Sequence, residues 1–124
     1  MNACAAASIW VLDDDASMLK ALGRLFKSAG FAVEKFSNPK DFLTRMEQSE
    51  CGVAVLDVFM PEMNGLEVQA WLRQNSPKTK VIFISGRDEP SMRILALEAG
   101  AFGYLGKPFE DADLLQLVEK AVAS

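Results

Sequence analysis

The chain has 124 residues, 50 % of them apolar and 24 % charged, with a net charge of −4, a composition ordinary for one globular domain able to bury roughly two-thirds of its unfolded surface. The acidic balance argues against a nucleic-acid surface, and the absence of histidine excludes a histidine acid–base, a histidine metal ligand and a phosphohistidine on this chain. The two cysteines, Cys4 and Cys51, lack metal-motif spacing and are read as free thiols in a reducing compartment.

Residues 1–7 have no charged leader, and no cleavage pattern separates the following apolar run from three aspartates. They are expected to be a flexible tail, and 8–122 a single domain. No segment approaches the roughly 20 apolar residues of a membrane span, so a cytoplasmic protein without membrane contact is expected. Ser8-Ile9-Trp10-Val11-Leu12 reads as the first strand, running into Asp13-Asp14-Asp15. Met18, Leu22, Leu25 and Ala29 then recur at helical spacing until Gly30. Residues 31–36 form a short strand, and Asn38-Pro39 a helix start ahead of Phe42, Leu43 and Met46. A third strand, 53–57, is an unbroken apolar run ending on Asp57, and Asn64-Gly65 opens a helix carrying Leu66, Val68, Trp71 and Leu72. Lys78-Thr79-Lys80 is taken as a solvated loop before a fourth strand over 80–85. Pro90 starts a helix ending at Gly100, a fifth strand covers 102–105, and a last helix covers 111–122.

Five β–α pairs with right-handed crossovers predict an α/β fold, a doubly wound parallel sheet in the order 2-1-3-4-5. Apolar runs stopping on carboxylates mark strands covered on both faces. In such sheets ligands bind beyond the carboxyl ends of the strands, at the switch point between strands one and three. Those strands end in Asp13-Asp14 and in Asp57. Gathered carboxylates repel, so the cluster calls for a cation or a shared proton. The Ser85 hydroxyl ends strand four, and Lys107 follows strand five on the same edge. An oxygen-rich cation site, a hydroxyl and a fixed ammonium suit a transferring phosphoryl group. A carboxylate can be its acceptor, and Mg²⁺ is the fitting ion. Asp15 is read as a helix N-cap rather than a ligand.

Val11-Leu12-Asp13-Asp14-Asp15, Leu56-Asp57 through Asn64-Gly65, Ile84-Ser85-Gly86, Glu98-Ala99-Gly100-Ala101 and Lys107-Pro108-Phe109 occur in order at these spacings. Together they resemble the receiver (CheY-like) domain of two-component response regulators, in detail most like FixJ- and NarL-type regulators. The resemblance implies a phosphorylation switch rather than an enzyme, self-catalysing phosphoryl acceptance and its slow hydrolysis. Asp57 would accept a phosphoryl group from a sensor histidine kinase or a small donor. Asp14, Asp57 and the Phe59 main-chain carbonyl would ligate Mg²⁺, with Mn²⁺ as a substitute and Asp13 close by or acting through water. Ser85 and Lys107 would bind phosphoryl oxygens, Tyr104 would be the switch aromatic, and Lys107-Pro108 a cis peptide.

On the fourth helix Met92, Leu95, Ala96 and Ala99 share the expected core face, while Ile94 and Leu97 project outward. That predicts a homodimer interface formed on phosphorylation, controlling transcription output, with no direct nucleic-acid binding by this domain. Three rivals are weighed. An aspartyl-nucleophile phosphatase would want a second Asp where Phe59 stands. A flavin carrier would want a phosphate loop where three aspartates stand. A pseudo-receiver serving only as a docking module would have lost an acidic or lysine site residue.

Overall fold

The computed structural model describes residues 8–87 and 89–124; the expected tail, 1–7, and Cys4 within it lie outside the described residues. Five strands, β1 (Ser8–Leu12), β2 (Ala32–Phe36), β3 (Val53–Asp57), β4 (Lys80–Ser85) and β5 (Gly103–Gly106), alternate with α1 (Ala16–Ser28), α2 (Pro39–Gln48), α3 (Gly65–Asn75), α4 (Pro90–Glu98) and α5 (Asp111–Ala123). The sheet is parallel throughout, in the order β2-β1-β3-β4-β5, as the alternation predicts.

Period-two alternation sorts each apolar run onto two faces. Ile9, Val11, Val53, Val55, Ile82 and Ile84 pack with Leu22, Phe26, Leu114 and Val118. Trp10, Leu12, Ala54, Leu56 and Phe83 pack with Phe42, Val68, Leu72, Ala96 and Tyr104 on the other face. Local chemistry starts the helices. Asp15 caps α1, accepting from the Ser17 and Met18 amides, as the sequence indicates. Asn38 caps α2 ahead of Pro39, and Asn64 and Glu67 form a reciprocal capping box on α3. Gly30 and Gly100 follow α1 and α4 at positive φ, +93° and +102°, where a side chain would be strained.

Three details differ from the sequence reading. Ala29 is exposed and Phe26 is the buried residue at this end of α1, because Ala29 is the C-cap, one position past the last helical residue. Leu95 is 53 % exposed. It lies about 100° round the helix from buried Ala96, and on the opposite flank the half-buried Arg93 side chain turns inward over Tyr104. Thr79 is buried rather than solvated, its hydroxyl donating to the Cys51 carbonyl at 2.9 Å.

Candidate functional site

Register builds the site. Leu12 pairs with both Leu56 and Phe36, so Asp13 and Asp57 leave neighbouring strands at the same height. The Asp13 amide donates to the Phe36 carbonyl at 3.1 Å, extending the ladder by one step. Its carboxylate is fully buried and held at both oxygens: Oδ1 accepts from the Asp15 amide and Oδ2 from Lys107 Nζ, each at 2.9 Å. Lys107 Nζ also stands 3.7 Å from Asp57 Oδ1. Asp57 is buried, whereas Asp14 is exposed. One oxygen each from Asp13, Asp14 and Asp57 lies within 4.8 Å of the others, a set able to hold a metal ion.

Two backbone features fix this arrangement. The Gly65 amide donates to the Val58 carbonyl at 2.7 Å. A Cβ at Gly65 would lie 2.6 Å from the Asp57 carbonyl oxygen and 2.8 Å from the Phe83 ring, so the first turn of α3 can press against the acidic strand end only with glycine there. On the other side, the Lys107 amide donates to the Ser85 carbonyl at 2.6 Å. The Lys107–Pro108 peptide is cis, and the ammonium reaches across to the carboxylates.

Burial, followed by the charge of Asp13, pushes the Asp57 carboxyl up to about 7; Lys107 opposes this and Asp14 adds to it. Burial works against the Lys107 ammonium, but its hydrogen bond to Asp13 and the carboxylate charges hold it above the usual lysine range. A cluster that favours a proton on Asp57 is one that a cation would discharge, and the all-oxygen donors suit a hard divalent ion.

The other residues singled out by sequence lie around this centre. Ser85 is fully buried, and its Oγ donates to the Arg87 carbonyl at 2.8 Å while accepting from the Arg87 amide at 3.1 Å. Tyr104 is buried, its ring 6.2 Å from that of Phe83. Its hydroxyl has no hydrogen-bond partner among the described residues. Phe59 is half-buried beside Asp57, and Ile94 and Leu97 are exposed on α4 away from the acidic cluster. Sequence reasoning missed two arginines. Arg87 lies over the Phe59 ring at 4.7 Å. Arg93 lies over Tyr104 at 4.9 Å and donates to its carbonyl at 3.1 Å. Phe59 and Arg87 each stand two positions past a site residue, in the loops that follow the neighbouring strands β3 and β4, and no periodic pattern in the sequence marks the stack between them.

The family model for the response regulator receiver domain matches residues 9–119. The response regulator protein TodT of Pseudomonas putida is 42 % identical over 117 residues, which are 94 % of this chain and 52 % of that protein. The transcriptional regulatory protein FixJ of Bradyrhizobium diazoefficiens is 33 % identical over 92 % of this chain and 56 % of its own. The chain thus spans about half the length of these curated relatives. Among solved structures, the beryllofluoride-activated NtrC4 receiver domain dimer superposes with a TM-score of 0.89 at 26 % identity, covering 94 % of this chain and 96 % of that one.

Proposed function

This chain belongs to the response regulator receiver domain family of two-component systems, and we propose that it is a Mg²⁺-dependent phosphorylation switch with Asp57 as acceptor. One observation carries the reading. Two further carboxylates, Asp13 and Asp14, and the Lys107 ammonium converge on Asp57, and with all three carboxylates ionised the cluster carries a formal charge of −2, which a single divalent cation neutralises. Asp14, Asp57 and the Phe59 carbonyl would hold the ion. Asp13, both of whose oxygens are already engaged, would act through water. When bound, Mg²⁺ or Mn²⁺ neutralises charge on the phosphoryl oxygens.

An Asp57 oxygen attacks phosphorus, the bond from phosphorus to the donor breaks, and the donor leaves with its electron pair. The donor is the phosphohistidine of a sensor histidine kinase or a small acyl phosphate. Lys107 turns from Asp13 to a phosphoryl oxygen, and the Ser85 hydroxyl leaves the Arg87 carbonyl for another. Hydrolysis of the acyl phosphate resets the switch slowly, so the domain is a self-modifying switch in the cytoplasm and not an enzyme acting on a separate substrate.

The output face proposed is α4 with β5. Ile94, Leu95 and Leu97 are exposed together on α4, an apolar grouping that fits a homodimer formed on phosphorylation, and the NtrC4 receiver is described as a dimer. In a longer regulator this dimer would control transcription. Ile94→Asp is expected to abolish phosphorylation-dependent dimerisation in sedimentation, with phosphoryl uptake retained. Losing both, or neither, contradicts the assignment. Nothing in the site favours a docking module alone, since Asp13, Asp14, Asp57 and Lys107 are all present.

Intact mass after incubation with acetyl phosphate and Mg²⁺ tests the reading. One phosphoryl on the wild type, none on Asp57→Asn and none after chelation is expected. Equal uptake by the variant would overturn it.

A further inference from the structure

Between the carboxyl-terminal ends of α3 and α4, at the amino edge of the sheet, lies a cavity of about 290 Å³, at the lower end of the range for small-molecule sites. Leu72, Val81 and Ala99 give it apolar walls, and at Gly100 an added Cβ would meet nothing within 4 Å. Two polar side chains of α3 reach this space. Gln69 is 2 % exposed. Its Nε2 donates to the Ala96 carbonyl at 3.2 Å, and its Oε1 is buried with no hydrogen-bond partner among the described residues. A carbonyl only accepts, so the amide cannot be turned round, and an acceptor oxygen is the atom left over. The Ser76 and Thr79 hydroxyls on the same wall satisfy each other at 2.7 Å. Arg73, at the rim, is exposed and forms no ion pair with any described residue.

We propose that this cavity binds a small organic acid carrying an O–H or N–H donor, the donor bonded to Gln69 Oε1 and the carboxylate paired with the Arg73 guanidinium. An unpaired buried acceptor is costly and is the kind of group that an occupant satisfies. Because the free atom is an oxygen, the occupant must donate to it. Because the free charge at the rim is a guanidinium, the other end of the occupant must be anionic, and a carboxylate matches its planar fork. Gln69 and Arg73 stand four residues apart on one helix face, about 6 Å between their Cβ atoms. Donor and carboxylate therefore sit at opposite ends of a short body, and a single ring between the apolar walls meets that spacing.

The test titrates 4-hydroxybenzoate into the isotopically labelled chain and follows amide shifts. Benzoate, which lacks the donor, and 4-hydroxybenzyl alcohol, which lacks the carboxylate, are the controls. Saturable shifts are expected at the Gln69 side-chain amide and at Ala99 and Gly100, with a Kd on the order of 1 mM for so small a ligand. Each control should bind about five- to ten-fold more weakly. Gln69→Leu should reduce 4-hydroxybenzoate to the affinity of benzoate and leave benzoate unchanged. Arg73→Gln, at an exposed position that the fold does not depend on, should weaken both acids about three- to ten-fold.

Absence of saturable shifts, the outcome if water alone pairs with Gln69, overturns the site. So do shifts centred elsewhere, equal affinity for the two acids in the wild type, or wild-type binding of both acids by Arg73→Gln. Asp57→Asn should bind 4-hydroxybenzoate as the wild type does, because the cavity lies at the sheet edge opposite the acidic cluster. The site therefore stands or falls independently of the phosphoryl acceptor, and loss of binding in that variant would overturn this placement.

Discussion

At the amino edge of the sheet, the Thr79 hydroxyl donates to the Cys51 carbonyl at 2.9 Å and lies 2.7 Å from the Ser76 hydroxyl. Burial raises the Cys51 thiol to about 12, so it stays neutral. At the carboxyl edge, Asp13 and Asp57 are buried with one lysine between them. One edge buries neutral polar groups that satisfy one another and serve the fold. The other buries like charges in excess, which is costly for the fold unless something cationic arrives. The difference separates a region shaped by stability from one shaped by chemistry, and substitutions at the two edges should behave differently.

The largest effect is expected from Lys107→Ala. It leaves Asp13, fully buried, without its cation. Breaking a buried pair costs roughly 3–5 kcal/mol, and partial exposure of the lysine places this one at about 3 kcal/mol. Urea unfolding at pH 8 measures it, and phosphoryl uptake should fail in the same variant. A loss as small as that of an exposed pair would blur the contrast between the edges.

Asp57→Asn should act in the opposite direction on stability. The folded-state pKa of Asp57, about 7, lies above its ordinary value of 3.8. Its protonated form is therefore favoured by folding, and the stability it contributes below the ordinary value is lost as pH rises through about 7. Metal-free wild type should be about 2 kcal/mol more stable at pH 5.5 than at pH 8 through this group. Asn should remove that dependence and be the more stable protein at pH 8. Mg²⁺ should stabilise the wild type at pH 8 far more than the variant. Denaturant titrations at the two pH values, with and without the ion, check this.

The smallest effect is expected at the amino edge. Thr79→Val leaves the Cys51 carbonyl without its hydroxyl donor and should cost about 1 kcal/mol in urea unfolding. Phosphoryl uptake should stay at the wild-type rate. A change in uptake would show that the two edges are coupled and would undo the separation.

How much of this was legible in the sequence follows the same division. The strand order and the meeting of Asp13, Asp14, Asp57 and Lys107 could be read because buried parallel strands write unbroken apolar runs, and each carboxylate falls where a run stops. Asn64-Gly65 signalled a helix start. Its second reason, the approach of Gly65 to the Asp57 carbonyl, needed three dimensions. Thr79 was misread because a threonine between lysines looks solvated, and only the packing of the loops before β3 and β4 supplies its partner. Leu95 was misplaced because a short helix leaning on a sheet edge buries a narrow stripe around Ala96, and Arg93 occupies part of that side. Arg87 escaped notice because a stack between two loops leaves no periodic mark in either one.

The most direct test of the central claim is to locate the phosphoryl group. A histidine kinase labelled on its phosphohistidine would be mixed with the chain and Mg²⁺, and the acyl phosphate mapped by peptide analysis. The account predicts label on Asp57 alone, absent when the ion is chelated. Label on another residue, or label on Asp57 that survives chelation unchanged, would contradict it.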